Sequence, residues 1–300
     1  MNGSGSMTKL IVIPTTIKQI YDLISFCDGY ILNIKDLSIN APSYFELDEL
    51  KDIIKYLKEK DKKVFINLNK NFHNDDLEKL ENCLIDLKDL NIDGVLYYDI
   101  SVVNIKDRIE LNYDLIWAQE HLTTNYSTCN YWYNFGVKYA YLSNEITLDE
   151  IINIKKETKM GLFVNVLGYL PMFTSKRHLV DNYLKTFSLK ESDNYHIYKE
   201  GNSYPIVDNN DGTTVYSSKI LNAFDEYLGL KKLNIDYCVL NSFLINDKVF
   251  EEIVKFFNTV NDENKKELSS NLDKLLEGKW DKGFLYKETV YKVKKNDKDN

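Results

Sequence analysis

Cysteine is scarce in this chain, and the four present, Cys27, Cys83, Cys129 and Cys238, stand far apart inside apolar segments with no CxxC pair. Such spacing excludes the common paired-cysteine motifs and reads as buried reduced thiols. The four histidines, His73, His121, His178 and His196, show no HxxxH or HExxH spacing, so a helix-borne zinc site has no support and no metal ligands are expected. No stretch reaches 18 consecutive apolar residues, and no charged N-terminal region precedes an apolar run. Neither a membrane span nor a signal peptide is therefore expected, and the location expected is cytoplasmic. A net charge of -8 argues against a surface that is wholly a nucleic-acid footprint, although it leaves room for a local basic patch. Glycine and proline are sparse beside abundant Asn, Lys, Ile and Tyr, a bias of AT-rich coding that carries little functional information.

What the chain does have is alternation. Apolar, β-branched or aromatic runs recur at 9–14, 30–34, 63–69, 94–99, 114–118, 139–143, 162–167 and 235–240. Segments of helical period with start signals lie between them. Ser43 and Glu46 read as a capping box before Leu47, Leu50, Ile53, Ile54 and Leu57; Asn74 or Asp75 precedes Leu77, Leu80, Leu84 and Leu87; Thr147 and Glu150 cap the run from Leu148. Eight strand–helix units predict an α/β fold, a (β/α)8 TIM-like barrel, with an open doubly wound sheet as the structural rival. No Gly-rich dinucleotide fingerprint follows the first strand, which weakens that rival. The roughly 65 residues between the seventh and eighth strands exceed an ordinary connection, so an insertion over 188–234 is expected, with YKEGNSYPIVDNNDGTTVYSS as a hairpin or short strands around a tight turn. Residues 1–6, MNGSGS, read as an appended leader before Met7; 7–260 read as the barrel domain, and 261–300 as a C-terminal appendage of one helix and one edge strand, ending in a lysine-rich solvated tail.

Chemistry in a parallel barrel sits at the C-terminal strand ends. Those positions are Asn33, Asn67 or Asn69, Asp99, Gln119, Glu145, Asn165 and Asn241. Carboxamides donate and accept hydrogen bonds without titrating, so this set suits recognition of a polar ligand more than hydrolysis. Only Asp99 and Glu145 offer an acid or base there, each weighed against a helix-capping or ion-pairing role, and no Ser/His/Asp ordering marks a nucleophile.

The stretch GYLPMFTSKRHLVDNY at 168–183, with LSNEITLDEI and LFVNVL before it, resembles the collagenase-like peptidase family U-32. DGYILNIKDLS, AQEHLTTN, NFGVKYAYLS, YPIVDNNDGTTVYSSKIL and GFLYKETVYKV extend the similarity, in the family's order, over most of residues 9–295. The family reads G-x-x-C-x-x-x-S-x-x-C-x-x-x-N-Y at the 168–183 stretch, where two cysteines help hold an iron–sulfur cluster. Gly168, Ser175, Asn182 and Tyr183 match it, but Pro171 and His178 stand at the cysteine positions. The resemblance with those departures implies no cluster, and no cofactor is expected. A His-Gly pair is replaced around Asn165, and an acidic-Gly-Arg signature by LNSF at 240–243. What survives of the family's site is Glu145, Arg177, Ser175, Gln119 and Asn182. The cluster-free branch that this chain resembles implies a factor for 5-hydroxylation of the wobble uridine of transfer RNA. Transfer RNA, a small carboxylate such as prephenate and a related paralogous subunit are the partners it implies. Arg177 is then expected to anchor an anionic substrate, against the plainer reading in which Ser175 caps a helix and Arg177 covers it. A peptidase of collagenase-like type and a non-catalytic binding paralogue are the alternatives.

Overall fold

Seven of the apolar runs form strands in the expected places: β1 (Lys9–Ile13), β2 (Gly29–Asn33), β3 (Lys63–Leu68), β4 (Gly94–Tyr97), β5 (Asp114–Trp117), β6 (Tyr139–Tyr141) and β7 (Gly161–Gly168). The insertion begins before the expected 188, directly after β7, and supplies β8 (Pro171–Ser175), β9 (Tyr195–Lys199), β10 (Asn202–Asn209), β11 (Gly212–Tyr216) and β12 (Ile220–Asn222), and the eighth apolar run is β13 (Tyr237–Asn241). In this computed structural model, which describes residues 7–192 and 194–287, β1 to β7 pair in chain order, all parallel, and β13 pairs with both β1 and β7. The sheet therefore closes into a TIM barrel, and the open-sheet rival is excluded.

Side-chain parity explains the interior. Alternate residues of a strand face opposite ways, and Ile11, Ile31, Phe65, Leu96, Ile116, Phe163, Tyr237 and Val239 converge inside the barrel. Phe163 stacks on Tyr237 at 4.2 Å between ring centroids, and Phe65 meets Phe163 edge-on at 5.0 Å. These rings pack the barrel interior, and a cavity lies above them at its C-terminal mouth. The opposite face of each strand packs against the helices α1 (Ile17–Leu23), α2 (Leu47–Glu59), α3 (Leu77–Leu87), α4 (Ser101–Arg108), α5 (Tyr126–Asn134) and α6 (Leu148–Glu157). α7 (Leu179–Phe187) belongs to the insertion; α8 (Phe224–Lys232) and α9 (Asp247–Thr259) complete the ring, and α10 (Lys265–Leu275) packs against both.

Helix starts follow local chemistry. Thr147 and Glu150 form the expected capping box of α6. At α2 the box lies one turn later than the sequence reading: Glu46 and Glu49 form it, while the Ser43 hydroxyl donates to the Pro14 carbonyl. At the N-terminal end of the barrel, aspartates preceding three strands fasten the neighbouring strand. Asp28 accepts from Leu10 N, Asp93 from Val64 N and Asp236 from Leu162 N. Burial raises the Asp93 pKa, but hydrogen bonds from Lys58, Lys63 and Val64 N outweigh it and hold the carboxyl below its ordinary value. Polar clamps at this end serve stability rather than chemistry.

The insertion forms a separate antiparallel sheet in the order β8–β11–β10–β9. The β10–β11 hairpin turns within the NNDG stretch, and Gly212 (φ +113°) lets the chain pass so close to Ser175 that a Cβ would lie 2.1 Å from its carbonyl oxygen. β14 (Trp280–Asp281) pairs with β12. The C-terminal edge strand was expected over 283–293; its described part, 283–287, forms turns instead, and the rest, from 288, lies outside the described residues, as do residues 1–6. Among the described residues no helix is long and apolar enough to cross a membrane.

Candidate functional site

Above the aromatic filling, the inward positions change from apolar to amide. Ile31 is followed by Asn33, Phe65 by Asn67, Phe163 by Asn165 and Val239 by Asn241, each two residues further along its strand, and all four amides line one cavity at the barrel mouth. The cavity holds about 90 Å³. Asn40, Asn69, Asn144, Tyr141, Tyr169 and Glu120 complete its polar wall, and no Lys, Arg or His lines it. It opens past Asn40, Asn69, Glu120 and Pro171 into a vestibule of about 870 Å³ that carries Lys70, His73, His121 and Lys176. Asn40 joins the barrel to the inserted sheet by accepting from the Thr214 hydroxyl at 2.7 Å. Gly168 (φ +141°) is required where β7 ends, because a Cβ there would lie 2.9 Å from that of Asn241.

Hydrogen bonds order the amides. Asn67 Nδ2 donates to Asn33 Oδ1 at 2.9 Å, Asn165 Nδ2 donates to Asn144 Oδ1 at 2.8 Å, and the Tyr141 hydroxyl donates to Asn165 Oδ1. Glu120 makes no hydrogen bond or ion pair among the described residues. Burial raises its pKa above the ordinary 4.5, His121 lowers it and Glu145 raises it.

The remaining sequence candidates lie apart from this cavity. Gln119 accepts from Trp117 Nε1 at 2.8 Å and donates to the Tyr98 carbonyl, so its side chain is engaged in the wall. Asp99 accepts from Phe72 N and Ser101 N, tying two loops together. Glu145 sits half-exposed beside the mouth, its Oε1 3.3 Å from His121 Nδ1. Ser175, Arg177 and Asn182 stand on the insertion. Ser175 Oγ accepts from Arg177 N, the Arg177 side chain is exposed with no ion pair among the described residues, and Asn182 is exposed on α7. Ser175 does not cap α7. Asp208, on β10, does so by accepting from Val180 N and Asp181 N while its other oxygen meets His178 Nδ1 at 2.8 Å.

Glu120, Tyr141, Asn144 and Asn40 were not among the sequence candidates. Parity could have found Glu120: Ile116 and Ala118 face inward, so the next inward residue is Glu120, and Gln119 faces out. The four cysteines are buried and lie on different elements. Burial pushes Cys27 and Cys83 up to about 12 and Cys129 to about 11, and raises Cys238 as well. Buried neutral thiols of this kind do not suit a cluster, and among the described residues no group of three His, Cys, Asp or Glu is placed to hold a metal ion.

A TIM barrel whose polar mouth is roofed by an inserted antiparallel sheet is the architecture in which these residues sit. The chain belongs to peptidase family U32, whose model matches residues 31–295. It is similar to the tRNA hydroxylation protein P2 of Bacillus subtilis, 27% identical over 305 residues that cover 94% of this chain and 99% of that protein. Similarity to the tRNA hydroxylation protein P1 of the same organism is 21% over 140 residues, 47% of this chain and 33% of that one. Among solved structures, a U32 peptidase matches with a TM-score of 0.52 at 15% identity, over 81% of this chain and 96% of the other, a likeness of fold.

Proposed function

We propose that this chain acts in transfer RNA modification, as a factor for 5-hydroxylation of the wobble uridine, without an iron–sulfur cluster. The observation that carries the reading is the match to the tRNA hydroxylation protein P2 along nearly the whole of both chains. Pro171 and His178 at the family's cysteine positions, with the remaining thiols buried on separate elements, support the cluster-free part. Two related hydroxylation proteins in one bacterium support a paralogous subunit as partner, and a cytoplasmic location follows from a transfer RNA substrate. In this reading the vestibule receives the nucleic acid, and a small carboxylate such as prephenate would meet its cations, Lys70 and Lys176, rather than the amide cavity beneath. Arg177 is the guanidinium of the insertion that meets a phosphate or carboxylate bidentately. Ser175, which accepts from Arg177 N, and Asn182, exposed on α7, are the further substrate contacts on that segment. Glu145, with His121 beside it, is the acid–base pair nearest the mouth, and Asp99 and Gln119 shape the loops around it. No Ser, Thr or Cys lines the inner cavity, which weighs against the peptidase reading.

The test is mass analysis of transfer RNA nucleosides from a strain lacking this chain and its paralogue, complemented by either. Loss of 5-hydroxyuridine derivatives, restored on complementation, is expected. Unchanged nucleosides in the double deletion would remove the proposal.

A further inference from the structure

The polar groups of the inner cavity do not cancel one another. Asn33 Oδ1 and Asn144 Oδ1 are taken by neighbouring amides, and Asn241 Oδ1 by Phe243 N. Their Nδ2 groups have no acceptor among the described residues, and that of Asn33 is fully buried in a residue only 1% exposed. A buried donor without an acceptor is costly, so the Asn33 amide, beside two further cavity-lining amides whose donors are unused, marks a place for an acceptor-bearing ligand. No cation lines the cavity to balance an anion. About 90 Å³ admits one small ring or ring edge, the body of a larger ligand remaining in the vestibule.

We propose that the inner cavity binds an uncharged ring edge bearing carbonyl acceptors, held by the amides of Asn33, Asn144 and Asn241 with the Glu120 carboxyl as a further donor. The site is defined by its own geometry and does not depend on the transfer RNA reading. The titratable groups facing Glu120 are His121, Glu145, Tyr141 and Tyr216. Burial keeps both tyrosines neutral, and the His121–Glu145 pair stands beside Glu120 at the mouth, so the ionisation of Glu120 is followed at its own carboxyl. Once ionised, Glu120 turns from donor to acceptor and repels a carbonyl oxygen.

Uracil presents two carbonyls on an uncharged ring, and orotate is the same ring bearing a carboxylate. The full chain, carrying ¹⁵N amides and ¹³C-carboxyl glutamate, would be titrated with each between about pH 5.5 and 8.5, as wild type and as Glu120→Gln. Uracil is expected to shift the Asn33, Asn144 and Asn241 side-chain amides, with an affinity that tracks the protonated fraction of Glu120 read from its own ¹³C resonance. Glu120→Gln, which donates but cannot ionise, should bind uracil equally across the range, and orotate should bind at least tenfold more weakly than uracil throughout. Orotate matching uracil, wild-type affinity constant while the Glu120 carboxyl ionises, or no amide shift with uracil at any pH would each overturn the proposal.

Discussion

Replacing Glu120 with Gln should stabilise the protein at neutral and alkaline pH, a sign opposite to that of most substitutions at a half-buried polar position. The carboxyl has no protein partner among the described residues, and burial raises its folded-state pKa above the ordinary 4.5. The folded state thus binds a proton that the unfolded chain gives up above about pH 4.5, and stability falls as pH rises from there to the folded pKa. Below the unfolded value the wild type is uncharged in both states, and Gln, of nearly equal volume, gains nothing. Each pH unit between the two pKa values is worth about 1.4 kcal/mol, and an unsatisfied buried polar group costs about 1–3 kcal/mol. Glu120→Gln is therefore expected to be more stable by about 1–3 kcal/mol at pH 8 and equal to wild type near pH 4.5. Urea unfolding at intervals across that range measures the difference as a shift of midpoint at constant slope. A variant less stable than wild type at pH 8 would refute the reasoning, because it would mean that the ionised carboxylate has a partner that Gln cannot replace.

Asp93→Ala removes the acceptor shared by Lys58, Lys63 and Val64 N, and should cost about 2–3 kcal/mol at pH 7 in the same assay. Because the folded pKa of Asp93 lies below its ordinary 3.8, that contribution is present above about pH 4 and fades as the pH falls through the folded value, where variant and wild type should converge. Asp208→Ala strips the cap from α7 and should lose about 1–2 kcal/mol, or appear as faster amide exchange at Val180 and Asp181 if the insertion opens by itself. Arg177→Lys should weaken transfer RNA binding by about 1.5–3 kcal/mol with little change in thermal stability, as expected for a charged hydrogen bond made only in the complex; equal binding with lower stability would assign Arg177 to packing instead.

The barrel was legible because its signal is local. Each strand is an apolar run, each helix has a period and a start, and eight repeats leave few ways to close. The amide lining was legible for the same reason, since Asn33 and Asn241 end their strands and Asn67 and Asn165 stand one and three residues before the ends of theirs. Glu120 was missed by one residue: an endpoint read from hydrophobicity alone selected Gln119, whereas the alternation of β5, continued past its end at Trp117, turns Gln119 outward and Glu120 in. The α7 cap was out of reach, because Asp208 lies 27 residues from Asp181 in the chain and meets it only through the β8–β11–β10 sheet. Arg177 matched the family pattern in sequence, yet its side chain stands on the insertion rather than in the amide cavity, a separation set by how that sheet folds over the mouth.

The central claim, that this barrel serves transfer RNA hydroxylation, is tested most directly by the nucleoside content of transfer RNA from cells in which this chain and its paralogue are deleted and this chain alone is restored. The account predicts that 5-hydroxyuridine derivatives disappear in the double deletion and return with wild-type protein. Transfer RNA with its wobble-uridine hydroxylation intact in the double deletion would contradict it.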